Sequence, residues 1–464
     1  MSALMVQGVS SSAGKSLLVT ALARAFRRRG VRVAPFKAQN MSNNARVVAG
    51  GEIGAAQYLQ ALAAGVEPEV RMNPVLVKPE GDNRSQVVVL GRADLELSRR
   101  PWRSRSAALW PVAERALREL LAEYDLVLLE GAGSPAETNL RSTDLANMRT
   151  ARVADAPVVL VADIDRGGAF AHLYGTWALV PEDERPLLRG FVLNKFRGDE
   201  SLLDPAPAEL TDRTGMAYVG LLPFLAHGLP DEDDAATPPL AGDRKSVAVL
   251  RYPTASNLDE FKPLEQVADV RWVADPAELN GADLIVLPGS KHVAADLAWL
   301  RERGFAEVLR PGRRILGICG GLQMLGEALV DAAGVDGTAH GLGLLPLSTV
   351  YRAAKRTELV ETEFERLDPP WSELSGLRLR GYEIRHGESH ALGPVARALP
   401  GERGFAAGSV LGISVHGALE DPELVRALLG AAPATTLDHV FDGLADVVGQ
   451  RLDLDYLAQL AGVA

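Results

Sequence analysis

The chain has a single cysteine, no long apolar run, no excess of positive charge and no internal repeat. Each absence removes a class of protein. One cysteine, Cys319, excludes an internal disulfide framework and a cysteine-based zinc cluster. No stretch reaches the roughly 18 consecutive apolar residues that a membrane-crossing helix needs, so no span and no membrane partner are expected. The balance of 60 acidic against 49 basic residues, net −11, argues against nucleic acid as the main partner, because neutralising phosphates needs a basic face. A local basic run, Arg27-Arg28-Arg29, falls at the end of a predicted helix and is read as a solvated terminus complementing the helix dipole. The N-terminus enters a strand and a glycine loop at once, which leaves no room for a signal peptide. The cytoplasm is the expected location.

What is present is an α/β pattern. At 464 residues the chain is too long for one core, and 47% hydrophobic with 23% charged residues is a globular composition. Apolar runs at Ala3–Val9, Val31–Phe36, Asp125–Glu130, Pro157–Asp163, Leu188–Asn194 and Ala217–Leu222 alternate with amphipathic stretches such as Lys15–Arg29 and Ser104–Ala122. That alternation predicts a mostly parallel sheet covered on both faces. At Asp231–Asp243 the chain turns acidic, then rich in proline and small residues, as a linker does. Alternation resumes with Ser246–Arg251, Asp269–Val273, Asp283–Leu287 and Arg314–Ile318. The predicted domains are therefore 1–232, a linker at 233–245, a second α/β domain at 246–430 and a helical tail at 431–464 packed on one of them.

Two motifs carry chemistry. The first is VQGVSSSAGKS, a strand, a small-residue loop and a helix beginning at Lys15. Five residues separate Gly8 from Gly14, one more than in the usual G-x-x-x-x-G-K-[ST] loop. Backbone N–H groups from Ser11 through Gly14 to Lys15 would face phosphates, helped by the positive end of the helix. Lys15 would meet the β- and γ-phosphates of a nucleotide, and the Ser16 hydroxyl would hold Mg²⁺. Glu130 ends an apolar strand followed by glycines, a position at the carboxyl edge of the sheet that suits a metal or water contact. Asp163 and Asp165 end another strand, as metal-site acids or as caps of the next helix. Asn194 ends a third, where its amide could read adenine.

The second motif is Gly317-Ile318-Cys319-Gly320-Gly321, again between a strand and a helix. It is the nucleophile elbow with sulfur in place of the serine hydroxyl. The glycines permit a sharp turn over a helix N-terminus, which favours a thiolate and supplies N–H donors for an oxyanion. His416, at a strand end before Gly417, is a candidate base, with His386 and His390 as rivals. The upstream LPGS, Leu287–Ser290, offers a second oxyanion N–H at Gly289 or Ser290, opposite that of Gly320.

These motifs resemble known families. The GICGGLQMLG elbow, the upstream LPGS and the downstream strand-His-Gly resemble triad-type glutamine amidotransferase domains, and the lengthened glycine loop resembles the dethiobiotin synthetase group of ATP-dependent ligases. The two fused in this order resemble the cobyric acid synthase family of cobalamin-pathway amidases. PFKAQNMSNNA (35–45), GGEIGAAQ (50–57), MNPVLVKP (72–79), SQVVVLG (85–91), EGAGSPAE (130–137), NLRSTDLANM (139–148), NKFRGD (194–199), LPGSK (287–291) and GYEI (381–384) carry the match over essentially the whole chain.

The resemblance implies ATP, Mg²⁺, glutamine and a corrinoid as cofactors and substrates. It implies Lys15, Ser16 and Lys37 as phosphate, metal or substrate contacts, Glu130 as a Mg²⁺ ligand, Asn194 at adenine, Cys319 as nucleophile and His416 as its base. More distant relatives place an orienting acid two residues after the histidine. Here that position is Ala418, with Glu420 two further on, and the branch is expected to lack such an acid. Arg385 stands after GYEI, where the family often has histidine. The alternatives are a cobyrinic acid a,c-diamide synthase, which NMSNNA and SPAE fit less well, and a P-loop regulatory ATPase with a non-catalytic amidotransferase-like domain, against which the intact Cys319 elbow argues.

Overall fold

The computed structural model describes residues 2–81, 84–225, 228–229 and 244–464, so most of the expected linker lies outside the described residues. Strands β1 (Ala3–Gly8), β2 (Val33–Phe36), β3 (Leu126–Glu130), β4 (Val158–Asp163), β5 (Leu188–Phe196) and β6 (Ala217–Pro223) form one sheet in the order β6-β5-β4-β1-β3-β2. Every pairing in it is parallel. A parallel sheet must be covered on both faces, and β1 shows how the sequence meets that demand. Its alternate residues part: Ala3 and Met5 join the core that includes the helix Trp102–Glu123, while Leu4 and Val6 join the core that includes α1 (Lys15–Arg28). After β1 the chain moves to the β2 side, and β4 lies on the other side. The loop after β1 therefore sits at the switch point of the sheet, where open α/β folds bind ligands.

The second domain contains β7 (Ser246–Leu250), β8 (Asp269–Val273), β9 (Leu284–Leu287), β10 (Ile315–Ile318), β11 (Leu347–Glu363), β12 (Arg378–Ala391), β13 (Ala396–Leu399), β14 (Gly404–Ala407) and β15 (Val410–Ile413). Its sheet runs β8-β7-β9-β10-β15-β14-β13, parallel from β8 to β15 and antiparallel beyond. The predicted α/β class thus holds for both halves. The long antiparallel pair β11–β12 was not foreseen. It leaves the core, with a register shift between Tyr351 and Arg356, and packs on the first domain's hairpin Ala45–Val48/Gly51–Gly54. Lys355 on β11 pairs with buried Glu52, and Lys291 reaches Gln86 at 2.9 Å, so charged groups join the two domains.

The tail comes back to the first domain. The helix Leu437–Arg451 packs on α1, and it and the helix Leu454–Ala461 place Phe441, Leu444, Val448 and Leu457 in the same core as Leu18 and Leu22. The basic end of α1 is not simply solvated, as its sequence suggested. Arg28 meets Asp446 at 2.6 Å and Arg29 meets Asp455 at 2.8 Å, with Arg24 on Asp442 at 2.6 Å. The dipole-complementing arginines also anchor the acidic face of the tail.

Candidate active site

Two strand-loop-helix turns hold the reactive groups, one per sheet. In the first, Gly14 takes φ 97°, a left-handed conformation, immediately before α1. A Cβ there would stand 2.0 Å from Asn194 Nδ2, and one at Gly8 would stand 2.7 Å from the Ser10 carbonyl. Both glycines of the lengthened loop are therefore needed for close approach. Asn194 Nδ2 donates to the Ala13 carbonyl at 2.9 Å, and Lys195 Nζ donates to that of Ser12 at 2.8 Å. Lys15 is 7% exposed and donates to the Ser10 carbonyl at 3.1 Å, and the first turn of α1 holds no acid to oppose an anion.

Glu130 is the hub beneath this loop. Its carboxylate accepts from Ser16 Oγ at 2.9 Å, Lys37 Nζ at 2.8 Å, Gln60 Nε2 at 2.5 Å and Gln57 Nε2 at 3.4 Å. Burial works against its ionisation, yet Lys37 and these donors hold the carboxyl below its usual range. A cavity of about 570 Å³ opens beside it, lined by Ser11, Gly14, Lys15, Ser16, Lys37 and Asn194 among others. The structure so brings the loop residues, Lys37 and Asn194 to one cavity, with Glu130 buried behind Ser16 and Lys37, and Asp163 and Asp165 outside the lining. Asp163 pairs with Lys195 at 3.2 Å and accepts from the Asp165 backbone N–H in a local turn. Neither aspartate caps the next helix, Ala169–Leu179, whose N-cap Gly168 has no side-chain hydrogen bond. Among the described residues no cluster of three His, Cys, Asp or Glu side chains could hold a metal by itself.

The second turn is tighter. Cys319 takes φ 52° and ψ −103° between β10 and the short helix Gly320–Leu325, a strained conformation for a residue with a side chain. Glycines enforce it: a Cβ at Gly321 would lie 2.0 Å from the Leu287 carbonyl, and one at Gly320 would lie 2.6 Å from Ser290 N. A Cβ at Gly289 would lie 2.8 Å from His416 Cε1. The LPGS segment, the elbow and the histidine are thus in mutual contact. Cys319 is 6% exposed.

His416 hydrogen-bonds through Nδ1 to Glu260 Oε1 at 2.9 Å and lies beside Cys319, whose thiol donates to the Ile384 carbonyl at 3.7 Å. The second Glu260 oxygen accepts from Gly417 N at 2.8 Å. Burial alone would lower the imidazole pKa, but Glu260 and Cys319 overcome it and raise it to about 10. A protonated imidazole beside a thiol is the arrangement that activates cysteine nucleophiles. The rival histidines are occupied elsewhere, His386 Nδ1 on the Arg352 carbonyl and His390 Nδ1 on Glu402.

Glu260 corrects the expectation of a branch without an orienting acid. It lies 156 residues before the histidine, in the turn after Asn257, where no local spacing could reveal it. Glu420, the acid nearest in sequence, pairs instead with Arg46 of the first domain.

The comparisons with known proteins follow this division. Residues 4–231 match the CobQ/CobB/MinD/ParA nucleotide binding domain and residues 246–424 the CobB/CobQ-like glutamine amidotransferase domain. The cobyric acid synthase of Paracidovorax citrulli is 57% identical over 477 residues, covering 97% of each chain. Those of Polaromonas naphthalenivorans and Variovorax paradoxus are each 54% identical and cover 98% of both chains. The chain belongs to the cobyric acid synthase family. Membership bears out the resemblance drawn from the motifs and leaves the regulatory ATPase reading unsupported. It also frames what sequence reasoning missed. Beyond Glu260, the cobyric acid synthase fold here recruits Gln57 and Gln60 to Glu130, and Tyr382 to a stacked contact on His416 with ring centroids 5.6 Å apart. GGEIGAAQ and GYEI, the stretches that marked the family, contain Gln57 and Tyr382; no chemical signal in them named those roles.

Proposed function

We propose that this chain amidates the b, d, e and g carboxylates of adenosylcobyrinic acid a,c-diamide to give adenosylcobyric acid, using ATP and glutamine. The observation that carries the reading is an intact Cys319–His416–Glu260 set in a chain more than half identical to cobyric acid synthases across both domains.

In the second domain Cys319 Sγ adds to the glutamine amide carbon, and the N–H groups near Gly289 and Gly320 receive the oxyanion. His416 delivers a proton to the departing nitrogen, so ammonia leaves and a thioester remains. Water then attacks the thioester, giving glutamate and returning the thiol. Glu260 fixes the imidazole ring for both proton transfers.

In the first domain the substrate carboxylate attacks the γ-phosphorus of ATP, releasing ADP and forming an acyl phosphate. A carboxylate is a poor electrophile with a poor leaving group; the acyl phosphate gives phosphate up readily to ammonia. The loop from Ser11 to Lys15 holds the phosphates, with Lys15 stabilising charge on the transferred group. Ser16 Oγ lines the cavity, and the Glu130 carboxylate, a hard oxygen donor 2.9 Å behind it, would reach Mg²⁺ by giving up part of its hold on Lys37 and the two glutamine amides. They would hold the ion, whose chemistry is to neutralise phosphate charge. Asn194 is the candidate adenine contact, alongside its hold on Ala13.

Mass spectrometry of the corrinoid after incubation with ATP, Mg²⁺ and glutamine tests this. Each amidation exchanges a hydroxyl for an amino group, and the product should carry one such step at each of the b, d, e and g positions. An unchanged corrinoid, or steps at the a and c positions of a less amidated substrate, would overturn the reading.

A further inference from the structure

The two domains meet where Asn44-Ala45-Arg46 of the first lies against Asn257-Leu258-Asp259-Glu260 of the second. Leu258 N donates to Asn44 Oδ1 at 3.1 Å, and Ala45 N donates to Asn257 Oδ1 at 3.3 Å. Arg46 is buried at the centre of this contact. Its Nη1 donates to Tyr382 Oη at 2.8 Å, and its Nη2 pairs with both Asp259 and Glu420.

Both arms of that guanidinium lead to the catalytic imidazole. Tyr382 stacks on His416, and the two residues exchange backbone hydrogen bonds of 3.0 and 2.8 Å. Asp259 precedes Glu260, whose carboxylate holds His416 Nδ1 and Gly417 N. In the other direction, the strand of Arg46 pairs with Gly51–Gly54, which runs directly into the helix Ala55–Ala64 bearing Gln57 and Gln60, the two amides on Glu130. One buried arginine therefore joins the scaffold of the nucleotide cavity to the ring and the acid that aim His416. Three carboxylates, Asp259, Glu260 and Glu420, crowd this side of the imidazole, and the guanidinium neutralises two of them directly.

We propose that Arg46, a residue of the nucleotide-binding domain, is a positioning residue for glutamine hydrolysis, fixing Tyr382 and the Asp259–Glu260 turn so that His416 stays aligned on Cys319. The inference rests on the assignment of Cys319 and His416 as the glutaminase. It concerns only the alignment between them, and it gives the first domain a direct hold on chemistry in the second.

The test uses the full chain with Arg46→Ala, Arg46→Lys and Tyr382→Phe, measuring glutamine-dependent and ammonia-dependent amidation in parallel. A misplacement of the base of about 1 Å costs on the order of 100-fold, so Arg46→Ala should lose about that much in kcat for glutamine hydrolysis. The KM for glutamine should stay within about threefold and ammonia-dependent amidation should persist, because neither needs the imidazole aligned. Arg46→Lys keeps the charge without the two-armed fork and should recover little. Tyr382→Phe, which keeps the stacked ring, should lose about tenfold. A kcat for glutamine hydrolysis within twofold of wild type in Arg46→Ala, or in both other variants if that one does not fold, would overturn the proposal. So would equal loss of the ammonia-dependent reaction. Alkylation of Cys319, the single cysteine, gives a readout independent of any corrinoid. Iodoacetamide labelling at neutral pH should slow in the Arg46 variants, and an unchanged rate would overturn the proposal even if the wild type amidated nothing.

Discussion

The phosphate loop and the cysteine elbow are the same local device used for opposite purposes. Each is a parallel strand, a glycine turn with positive φ and a helix N-terminus at the carboxyl edge of a sheet. Around Lys15 the device gathers positive charge and backbone donors beside a cavity of about 570 Å³, and its chemistry begins when a nucleotide brings the phosphates. Around Cys319 the thiol, imidazole and carboxylate that act on the substrate all belong to the protein and are buried, with the carboxylate already hydrogen-bonded to the imidazole. The lesson is that one turn supplies only donors and direction; what surrounds it decides between binding and covalent catalysis. An acid shows the same contrast. Glu130 is held by two amides, a lysine and a hydroxyl as a fixed anion at a binding site, whereas Glu260 is spent on orienting a base.

This contrast can be broken at either site. The largest effect is expected for Cys319→Ala, which should abolish glutamine hydrolysis and glutamine-dependent amidation while ammonia still supports amidation; an assay with both nitrogen sources checks it. Lys15→Ala should lower amidation by at least about 100-fold with either nitrogen source, with some glutaminase activity retained, since charge stabilisation of the transferred phosphoryl is lost only in the first domain. Equal loss of both activities would contradict separate sites.

Glu260→Gln keeps the shape but removes the charge that raises His416, and should cost about 10²–10⁴-fold in glutaminase kcat. It has a linked signature in stability. The folded pKa of His416 lies near 10, above the ordinary histidine value of 6.5, so the protonated imidazole stabilises the fold fully below that ordinary value. The contribution is lost as pH rises toward 10. Denaturation followed from pH 6 to 10 should show that slope in the wild type and a flatter one in Glu260→Gln. Smallest of all should be Asp442→Asn on the tail, worth within about 1 kcal/mol, because Asp442 is itself over a third exposed and its partners Arg24 and Arg28 keep Asp438 and Asp446; urea titrations at low and high salt would measure it.

Much of this arrangement was legible in the sequence because it is local. Strand, glycines and helix in register marked Lys15 and Cys319, and alternation of apolar runs marked both sheets. What was not legible depends on distance along the chain. Glu260 and His416 meet only because β15 and the turn after Asn257 end on the same side of the second domain. Gln57 and Gln60 read as ordinary helical residues until the helix is laid against β2 and α1, where their amides reach Glu130 at the end of β3. The strands β11 and β12 were missed because they are half-exposed and charged, so no buried apolar run announces them. The tail's place on α1 was hidden because its acidic face meets arginines that look like a solvated end.

The central claim is that nitrogen freed at Cys319 reaches a carboxylate activated beside Lys15. It is tested most directly with glutamine labelled with ¹⁵N in its side-chain amide. The wild-type chain given ATP, Mg²⁺ and the corrinoid should place the label in every new amide, and Cys319→Ala should place it in none. Unlabelled amides from the wild type, or labelled amides from Cys319→Ala, would contradict the account.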